Sequence, residues 1–453
     1  MSKTNAQTKT MSKTNAQTKI IYLTAGAGGM FCGSCMHDNA LTTALKGAGW
    51  DVQLVSTYTP IRTDDVDVSV DHVLFGGLNV YLQQTIPLFR YLPSAIDRFL
   101  DSPKLIRRLT ANAAEADPKT LGSLTVSMLK GIGGNQRKEV RRMCKWLALA
   151  KPDMLILSNV LIGGCLPQIK KQLDVPVLVT LQGDDVFLDS LLPKFKQQCV
   201  DLIAEIADSV DGFIVHSEFY ADYISNYLNI DHAKFHVTPL GLDVRSFWGC
   251  QEVQNDVGLQ EVNDPFKIGY LARLAPEKGL HHLVDGFILL KQRSGCKHAK
   301  LLIAGWQSDQ WSDYTEAQWK KLANAGLEND WQNLGSPDRQ AKIELLNDID
   351  VLSVPTEFLE PKGLYALEAM AAGVPVVLPA HGAFPEMIDS TGGGVLVAPK
   401  SAQSWADAME DLIKRPDHRR ALGQRGQQSV HLNRNSGSMA ASTSAVIRQI
   451  LDS

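Results

Sequence analysis

Two glutamates eight positions apart are the residues whose type and spacing point most directly to ligand binding. Glu360 and Glu368 lie in the segment EPKGLYALEAMAAGVPVV, where a strand is predicted to end near Pro355 and a helix to run from about Gly363 to Gly373. Glu360 then falls in the loop before the helix, and Glu368 falls about one and a half turns inside it. Parallel α/β sheets bind their ligands at such a place, outside the carboxyl end of a strand.

The predicted helix start suits a phosphate group. Free amide N–H groups near Gly363 and Leu364, together with the positive end of the helix dipole, would face such an anion. A carboxylate accepts two hydrogen bonds, so each glutamate suits a pair of neighbouring hydroxyl groups. One such diol belongs to the ribose of a nucleotide and the other to a sugar. The segment therefore predicts a nucleotide-sugar site, against the alternative of two solvated surface glutamates.

A second motif, YLARLAPEKGLHHLVDGF, carries two cations at the end of another predicted strand. The strand ends at Arg273 and the next helix starts near Lys278, with Pro276 suited to its first turn. A diphosphate leaving group gains negative charge as its bond to the sugar breaks. An Arg and a Lys placed there stabilise that charge without a metal. The alternative is an ordinary Arg and Lys on the surface.

The paired glutamates resemble the signature of the family-4 retaining glycosyltransferases (glycosyl transferases group 1, GT-B fold). The resemblance implies that Glu360 contacts the transferred sugar and that Glu368 holds the ribose. It places Arg273 and Lys278 on the diphosphate. It also implies transfer of a sugar from a nucleoside diphosphate sugar to a hydroxyl acceptor (a carbohydrate, a small molecule or a lipid-linked glycan), with retention of anomeric configuration.

The resemblance extends over most of the chain, from residue 20 to about residue 430, and is weakest in 86–145. Further matching pieces are PLGLDVRSF, LLIAG and HGAFPEMI. One position departs from the family, because Lys362 stands where an aromatic residue is common.

The first predicted loop, TAGAGGMFCGSCMHDN, is rich in glycine, which lets the backbone approach a bound group closely. It lacks the G-x-G-x-x-G spacing of a dinucleotide site. The resemblance places Gly28 and Gly29 across the cleft from the diphosphate. His37 and Asp38 follow in the next helix, where they either bind an acceptor hydroxyl or cap and pair on the helix.

The loop VTLQGDD offers further candidates on the acceptor side. Gln182 stands where many members of the family carry a His that contacts the donor sugar. Gln can donate a hydrogen bond to a sugar hydroxyl but cannot act as a base, which suits a front-face reaction in which the departing phosphate oxygen takes the acceptor proton. Asp184 and Asp185 are either acceptor ligands or solvated loop acids.

The sequence predicts no catalytic metal and no cofactor beyond the sugar nucleotide. Asp348 and Asp350 have the D-x-D spacing of metal-dependent glycosyltransferases, but they fall where a helix gives way to a strand. Asp65 and Asp67 have the same spacing, and nothing around them supports a metal site either. Cys32 and Cys35 form a C-G-S-C near a helix start, where a thiolate is stabilised. No second C-x-x-C completes a zinc site, and small residues packed near a loop are the alternative to redox chemistry.

Apolar segments alternate with helical ones through both halves of the chain, which predicts an α/β protein with parallel sheets covered on both faces. With the resemblance, this indicates two Rossmann-like doubly wound domains facing an interdomain cleft. The expected segments are a disordered, duplicated tail (1–19), an N-terminal acceptor domain (20–250) with a helical insertion (86–145), a linker (251–264), a C-terminal donor domain (265–435) and a last helix (436–453) that can pack on the first domain.

Composition limits the partners. The formal net charge is −4, so no positive field favours nucleic acid. Seven scattered cysteines, no apolar stretch long enough to span a membrane and a polar start favour a cytoplasmic protein. The insertion includes IPLFRYLPSAIDRFL, whose apolar face either contacts a membrane surface peripherally or packs inside the protein. The oligomeric state is left open.

Two other functions fit parts of the pattern. A sugar phosphorylase on the same fold would use inorganic phosphate, and Glu368 argues against it because such an enzyme has no ribose to hold. A non-catalytic sugar-binding protein would not need Arg273 and Lys278 to stabilise a leaving diphosphate.

Overall fold

A computed structural model describes residues 18–26, 33–61, 63, 66–74, 80, 82–84, 118–247 and 265–453. The described residues form two sheets whose strands all run parallel, one in each half of the chain. The predicted α/β class with two Rossmann-like domains is confirmed. The predicted linker 251–264 and residues 86–117 of the predicted insertion lie outside the described residues.

The first sheet has seven strands in the order β3-β2-β1-β4-β5-β6-β7. Their bounds are β1 Lys19–Thr24, β2 Asp51–Ser56, β3 Ser69–Val73, β4 Met154–Leu157, β5 Val177–Thr180, β6 Gly212–Val215 and β7 Phe235–Val237. The central strands are buried along their whole length, as the apolar runs MLIL and VLVT require when helices cover both faces of a sheet.

The second sheet has six strands in the order β10-β9-β8-β11-β12-β13. Their bounds are β8 Lys267–Leu271, β9 Lys300–Ala304, β10 Trp331–Asn333, β11 Val351–Ser353, β12 Val376–Pro379 and β13 Gly394–Val397. The order reverses between β8 and β11, which are hydrogen-bonded neighbours. Loops that leave the carboxyl ends of two such strands diverge and open a crevice, which is where doubly wound sheets bind ligands.

Helices cover the faces of both sheets. In the first domain their bounds are α1 Gly33–Gly47, α2 Pro118–Leu129, α3 Arg137–Ala150, α4 Leu166–Leu173, α5 Asp184–Asp189, α6 Pro193–Ile206 and α7 Glu218–Leu228. In the second half they are α8 Leu280–Lys291, α9 Ser312–Asn324, α10 Arg339–Asp348, α11 Leu364–Ala371, α12 Phe384–Thr391, α13 Ala402–Lys414, α14 Pro416–Asn433 and α15 Ser436–Asp452.

The last helix, α15, returns to the first domain. Its Met439 and Ile447 are buried in one cluster with Ile20 and Leu41 of that domain. The indole Nε1 of Trp50 donates a hydrogen bond to Ser444 Oγ at 2.8 Å. The chain therefore crosses between the domains twice, and the second crossing fixes the end of the chain against the first sheet.

Three short strands, β3, β7 and β10, lie where the sequence has no apolar run that predicts a strand. Strand β1 begins at Lys19, whose backbone N–H donates to Asp153, so the predicted tail ends before residue 19. The part of the predicted insertion that the structure describes forms α2 and most of α3. Their apolar residues, including Met128 and Val140, are buried in the core of the first domain. This placement favours packing inside the protein for 118–145.

Candidate active site

One cleft of about 510 Å³ lies between the two domains. Its lining comes from the carboxyl ends of strands in both sheets and from the loops that follow them. The lining includes Ser34, Gln182, Arg273, Glu277, Lys278, Lys342, Glu360, Lys362, Leu364, Tyr365 and Glu368. The structure thus brings the four main predicted residues, two glutamates and two cations, around one crevice of a size typical for small-molecule sites.

Glu360 and Lys278 form an ion pair in the cleft. Lys278 Nζ donates to Glu360 Oε2 at 2.9 Å, and Gly363 N–H donates to Oε1 at 3.3 Å. The hydroxyl of Tyr365 lies 3.3 Å from the same Oε2. Burial opposes ionisation of Glu360, but Lys278, the Gly363 N–H and Lys362 together outweigh it and lower the pKa of this carboxyl. Glu360 is therefore a carboxylate at neutral pH, a hydrogen-bond acceptor rather than an acid.

Two glycines explain how the chain brings this pair together. Gly279, at φ +72°, ends the turn that carries Lys278, and a Cβ there would lie 1.7 Å from the carbonyl oxygen of Pro355. Gly363, at φ +62°, precedes α11, and a Cβ there would lie 2.8 Å from the ring of Phe384. A left-handed turn with a close neighbour leaves room only for glycine. Both turns therefore depend on these two residues.

Arg273 follows β8 and points along the same cleft. Its guanidinium donates to Glu277 Oε1 at 2.6 Å, and its side chain is 37% exposed. Glu277 therefore orients Arg273, and the partly exposed guanidinium lines the cleft with further N–H donors to offer. Because Arg273 follows β8 and Glu360 follows the neighbouring β11, the strand reversal of the second sheet is what places them together.

Glu368 has a partner that the sequence reasoning missed. Lys342, on α10, donates to Glu368 Oε1 at 2.6 Å, and the two side chains are only 10% and 9% exposed. A buried carboxylate needs such a countercharge. The signal available in the sequence was that Glu368 sits on the apolar helix LYALEAMA, where an unpaired charge would not be tolerated.

Lys362, the position that departs from the family pattern, links the two domains. Its Nζ donates to Gln182 Oε1 at 2.8 Å and to Ser34 Oγ at 3.2 Å, both in the first domain. The amide nitrogen of Gln182 in turn donates to Asp38 Oδ1 at 3.0 Å and to the carbonyl of Ser158. Both ends of the Gln182 side chain are thus held in place at the edge of the cleft.

Asp38 is a buried hydrogen-bond centre of the first domain. It is fully buried and accepts from Tyr22 and Thr24 hydroxyls at 2.7 Å each, besides Gln182. This placement favours a structural role for Asp38. His37, also buried, reaches a recess of about 30 Å³ that Glu368 lines as well. Burial lowers the pKa of His37, so its imidazole is neutral at physiological pH.

The two acids of the VTLQGDD loop are engaged by protein groups. Asp184 accepts from the backbone N–H groups of Val160 and Gln182 at 2.9 Å and 3.1 Å. Burial raises the pKa of Asp184 to about 7. Asp185 accepts from the hydroxyl of Tyr220 at 2.6 Å. Both contacts stabilise the loop that presents Gln182, which favours a positioning role over contact with an acceptor.

The other predicted donor-binding residues differ in how far the structure describes them. Leu364 lines the cleft at the start of α11, where the first N–H groups of a helix have no partner within it. Gly28 and Gly29 lie outside the described residues, as does Cys32. Cys35 is buried on α1. Among the cysteines that the structure describes, Cys144 and Cys165 are buried and form no disulfide.

Asp348 and Asp350, the acids with D-x-D spacing, contact residues at one end of the second sheet and do not line the cleft. Asp350 accepts from the backbone N–H of Lys267 at 2.8 Å and pairs with Arg419 at 3.1 Å. Asp348 pairs with the Lys267 side chain. These contacts lie at the amino end of β8, opposite to the strand ends that line the cleft. Asp65 lies outside the described residues.

A second cavity, of about 580 Å³, lies beside β9 and β10. Its charged residues largely neutralise one another, since Lys267 pairs with Asp348 and Lys300 pairs with Asp330 at 2.8 Å. The cavity runs along the edge of the sheet, from Lys267 and Lys300 at the amino ends of their strands to Ala304 and Leu334 at the carboxyl ends of β9 and β10. It holds none of the predicted site residues, and the interdomain cleft is the better candidate.

Residues 254–429 match the family model described as glycosyl transferases group 1. The chain therefore carries a glycosyl transferases group 1 domain. This group 1 domain contains Arg273, Lys278, Glu360 and Glu368, so all four main candidates come from the matched region.

The curated relatives match part of the chain. A D-inositol 3-phosphate glycosyltransferase of Corynebacterium jeikeium is 26% identical over 239 residues, which is 52% of this chain and 56% of that protein. The chain spans about half the length of the curated relatives it matches. The relatives are named glycosyltransferases, but the shared length is too small to carry over a substrate.

Solved structures match almost the whole chain. The sucrose-phosphate synthase of Thermosynechococcus elongatus aligns with a TM-score of 0.69 at 19% identity, over 96% of this chain and 99% of that one. Anabaena HepE in complex with UDP-glucose aligns with a TM-score of 0.64 at 15% identity, over 95% of this chain and 99% of that one. At these identities the likeness shows the fold, so the group 1 domain is the second half of a GT-B fold, as predicted.

The described residues contain no helix that is long and apolar enough to cross a bilayer.

Proposed function

We propose that this chain is a retaining glycosyltransferase that moves a sugar from a nucleoside diphosphate sugar to a hydroxyl acceptor. The observation that carries the proposal is the cleft itself, because two carboxylates and two cations from the group 1 domain line one crevice with residues of the other domain. Each group has a use in this reaction, and the named relatives are glycosyltransferases. Donor sugar, base and acceptor are left to experiment.

Donor binding follows from the geometry of α11. The first N–H groups of this helix would face a phosphate, and Glu368, inside the helix, would accept from the ribose hydroxyls. Lys342 orients Glu368 and places a positive charge beside it, since its Nζ donates to Glu368 Oε1 at 2.6 Å. Glu360, an ionised acceptor before the same helix, would hold the hydroxyls of the transferred sugar.

The chemical step needs stabilisation of the leaving group. The bond between C1 of the sugar and the diphosphate oxygen breaks, and its electron pair stays on the phosphate. The acceptor oxygen forms the new bond to C1 on the same face, and its proton passes to the departing phosphate oxygen. Arg273 and Lys278 would neutralise the charge that develops on the diphosphate, and such groups contribute on the order of 100- to 1000-fold in rate.

The acceptor side supports a reaction without a protein base. Gln182 lies at the edge of the cleft, and an amide cannot take a proton at neutral pH. Its side chain is held by Asp38, Ser158 and Lys362. On this proposal the departing phosphate oxygen receives the acceptor proton, as the front-face route with retention requires.

Donor binding is the first test. The full chain is screened by thermal shift against UDP-, GDP- and ADP-sugars and against inorganic phosphate. A ligand at about a hundred times its dissociation constant adds about 2.7 kcal/mol to the free energy of unfolding. We expect one nucleotide class to stabilise the chain and phosphate alone to leave it unchanged. Stabilisation by phosphate but by no nucleotide would favour a phosphorylase instead.

Turnover is the second test. With the donor found, acceptors are screened and the anomeric configuration of the product is read by NMR. The proposal predicts that the product keeps the anomeric configuration that the sugar had in the donor. Inversion would refute the front-face route, and donor binding without transfer to any hydroxyl would favour a sugar-binding protein.

A further inference from the structure

Two histidines and a glutamate converge outside the cleft. His281 Nε2 lies 3.0 Å from Glu357 Oε1, and His282 Nε2 lies 2.9 Å from the same oxygen. The ligand-forming atoms of all three residues lie within 4.8 Å of one another. None of the three lines the interdomain cleft, so the role proposed for the cleft leaves this cluster unexplained.

The fold holds the cluster from two sides. The left-handed turn at Gly279 starts α8, which places His281 and His282 in the first turn of that helix. Glu357 lies in the loop after β11, and its backbone N–H donates to the carbonyl of Glu277 at 2.9 Å. The two segments are therefore tied together through their backbones, independently of the three side chains.

The spacing suits a tetrahedral ion. Zinc binds imidazole nitrogen and carboxylate oxygen at about 2.0–2.2 Å, so two ligands of a tetrahedral ion lie about 3.3 Å apart. The two nitrogen-to-oxygen distances to Glu357 are 3.0 Å and 2.9 Å, so both lie within a few tenths of an ångström of the tetrahedral value. Two imidazoles and one carboxylate favour Zn²⁺ and its neighbours over Mg²⁺ or Ca²⁺.

Tyr314 supplies the outer contact that metal-bound histidines usually have. Its hydroxyl accepts from the backbone N–H of His281 at 3.2 Å and lies 2.8 Å from His281 Nδ1. A hydroxyl can donate to Nδ1 when Nε2 carries the proton, or accept from Nδ1–H when Nε2 binds a metal. Tyr314 therefore supports both tautomers of His281.

Imidazole coordinates a metal through an unprotonated ring nitrogen. The competing account is a plain hydrogen-bonded cluster of Glu357 with His281 and His282, which needs no metal.

We propose that His281, His282 and Glu357 bind one divalent transition-metal ion of the zinc class, with Tyr314 orienting His281. The side chains are 23%, 18% and 34% exposed, so water can fill the remaining position. The ion would clamp the loop that leads to Glu360 onto the helix that follows Lys278. This site does not depend on the function proposed for the cleft, and it is structural rather than catalytic because it lies outside the cleft.

The test uses Co²⁺ and Zn²⁺ on the full chain after metal removal by a chelator. Wild type is compared with His282→Asn, Glu357→Gln and Tyr314→Phe. The control is His232→Asn, because His232 Nε2 pairs with Asp222 at 2.9 Å on the surface without a second histidine. Thermal midpoints without metal show whether each variant is folded. If a ligand variant does not fold, Tyr314→Phe still tests the proposal, because it keeps all three ligands.

We expect wild type to bind one Co²⁺ with the visible spectrum of a tetrahedral ion, and Zn²⁺ to displace it. His282→Asn and Glu357→Gln should weaken binding by at least about tenfold, and Tyr314→Phe by about tenfold. The His232→Asn control should bind as wild type does, and only the metal-binding chains should gain thermal midpoint with Zn²⁺. No Co²⁺ spectrum in wild type, or equal affinity in wild type, Glu357→Gln and Tyr314→Phe, would overturn the proposal.

Discussion

The buried pair between Lys342 and Glu368 gives the sharpest prediction about stability. Its atoms are 2.6 Å apart and its side chains are 10% and 9% exposed. Replacing Lys342 with Met leaves a nearly buried carboxylate without this partner, and breaking a buried ion pair typically destabilises a protein by about 3–5 kcal/mol. At about 2–4 °C per kcal/mol for a domain of this size, the thermal midpoint should fall by about 6–20 °C.

The double variant separates this mechanism from loss of packing. Lys342→Met with Glu368→Leu removes both charges, and replacing a buried ion pair by apolar residues is often close to neutral. The double variant should therefore be more stable than Lys342→Met alone. Thermal midpoints of wild type, both single variants and the double variant form a complete cycle. If the losses of the two single variants simply add in the double variant, the pair is not coupled and the reasoning is wrong.

Three further predictions concern the cleft. Arg273→Ala and Lys278→Ala should each lower kcat by on the order of 100- to 1000-fold in steady-state assays with the identified donor, and an unchanged kcat would remove them from the chemical step. The pKa of Glu360 is lowered, so its ion pair with Lys278 stabilises the fold at any pH above the ordinary carboxyl pKa of 4.5. This stabilisation is lost as the pH falls through the lowered pKa of Glu360. The difference in thermal midpoint between wild type and Glu360→Gln should therefore be largest at pH 7 and shrink below pH 4.5; a difference that grows toward acid pH would contradict the ion pair. Gly363→Ala should lower the thermal midpoint and donor affinity together, because φ is +62° and the new Cβ would lie 2.8 Å from Phe384; unchanged donor binding would show that the turn is not needed.

The fold was largely predictable because its central strands are short apolar runs separated by helical segments. KIGYL and VVLP are buried on both faces, and that pattern is visible in the residues alone. The missed strands are different. The strand at Trp331–Asn333 lies at the edge of its sheet and is partly exposed, so its composition gives little signal. Edge strands need only one hydrogen-bonded neighbour, and pairing with β9 defines this one.

The main site residues were predictable because they lie in two strand–loop–helix segments, each with a glycine turn before its helix. Their partners were not. Lys342 lies on a separate helix 26 positions before Glu368, and only the tertiary structure makes them neighbours. The link from Lys362 to Gln182 joins residues 180 positions apart in different domains. Such contacts depend on tertiary structure, and the local sequence pattern around each residue does not predict them.

The account rests most directly on Glu368 as the residue that binds the ribose of the donor. Calorimetric titration of the full chain and of Glu368→Gln with the nucleoside diphosphate from the screen, and with inorganic diphosphate as a control without ribose, tests this. The account predicts that Glu368→Gln binds the nucleoside diphosphate about 10- to 150-fold more weakly, because a hydrogen bond to a charged group contributes about 1.5–3 kcal/mol. Binding of inorganic diphosphate should be unchanged. Equal affinity of wild type and Glu368→Gln for the nucleoside diphosphate would contradict the account.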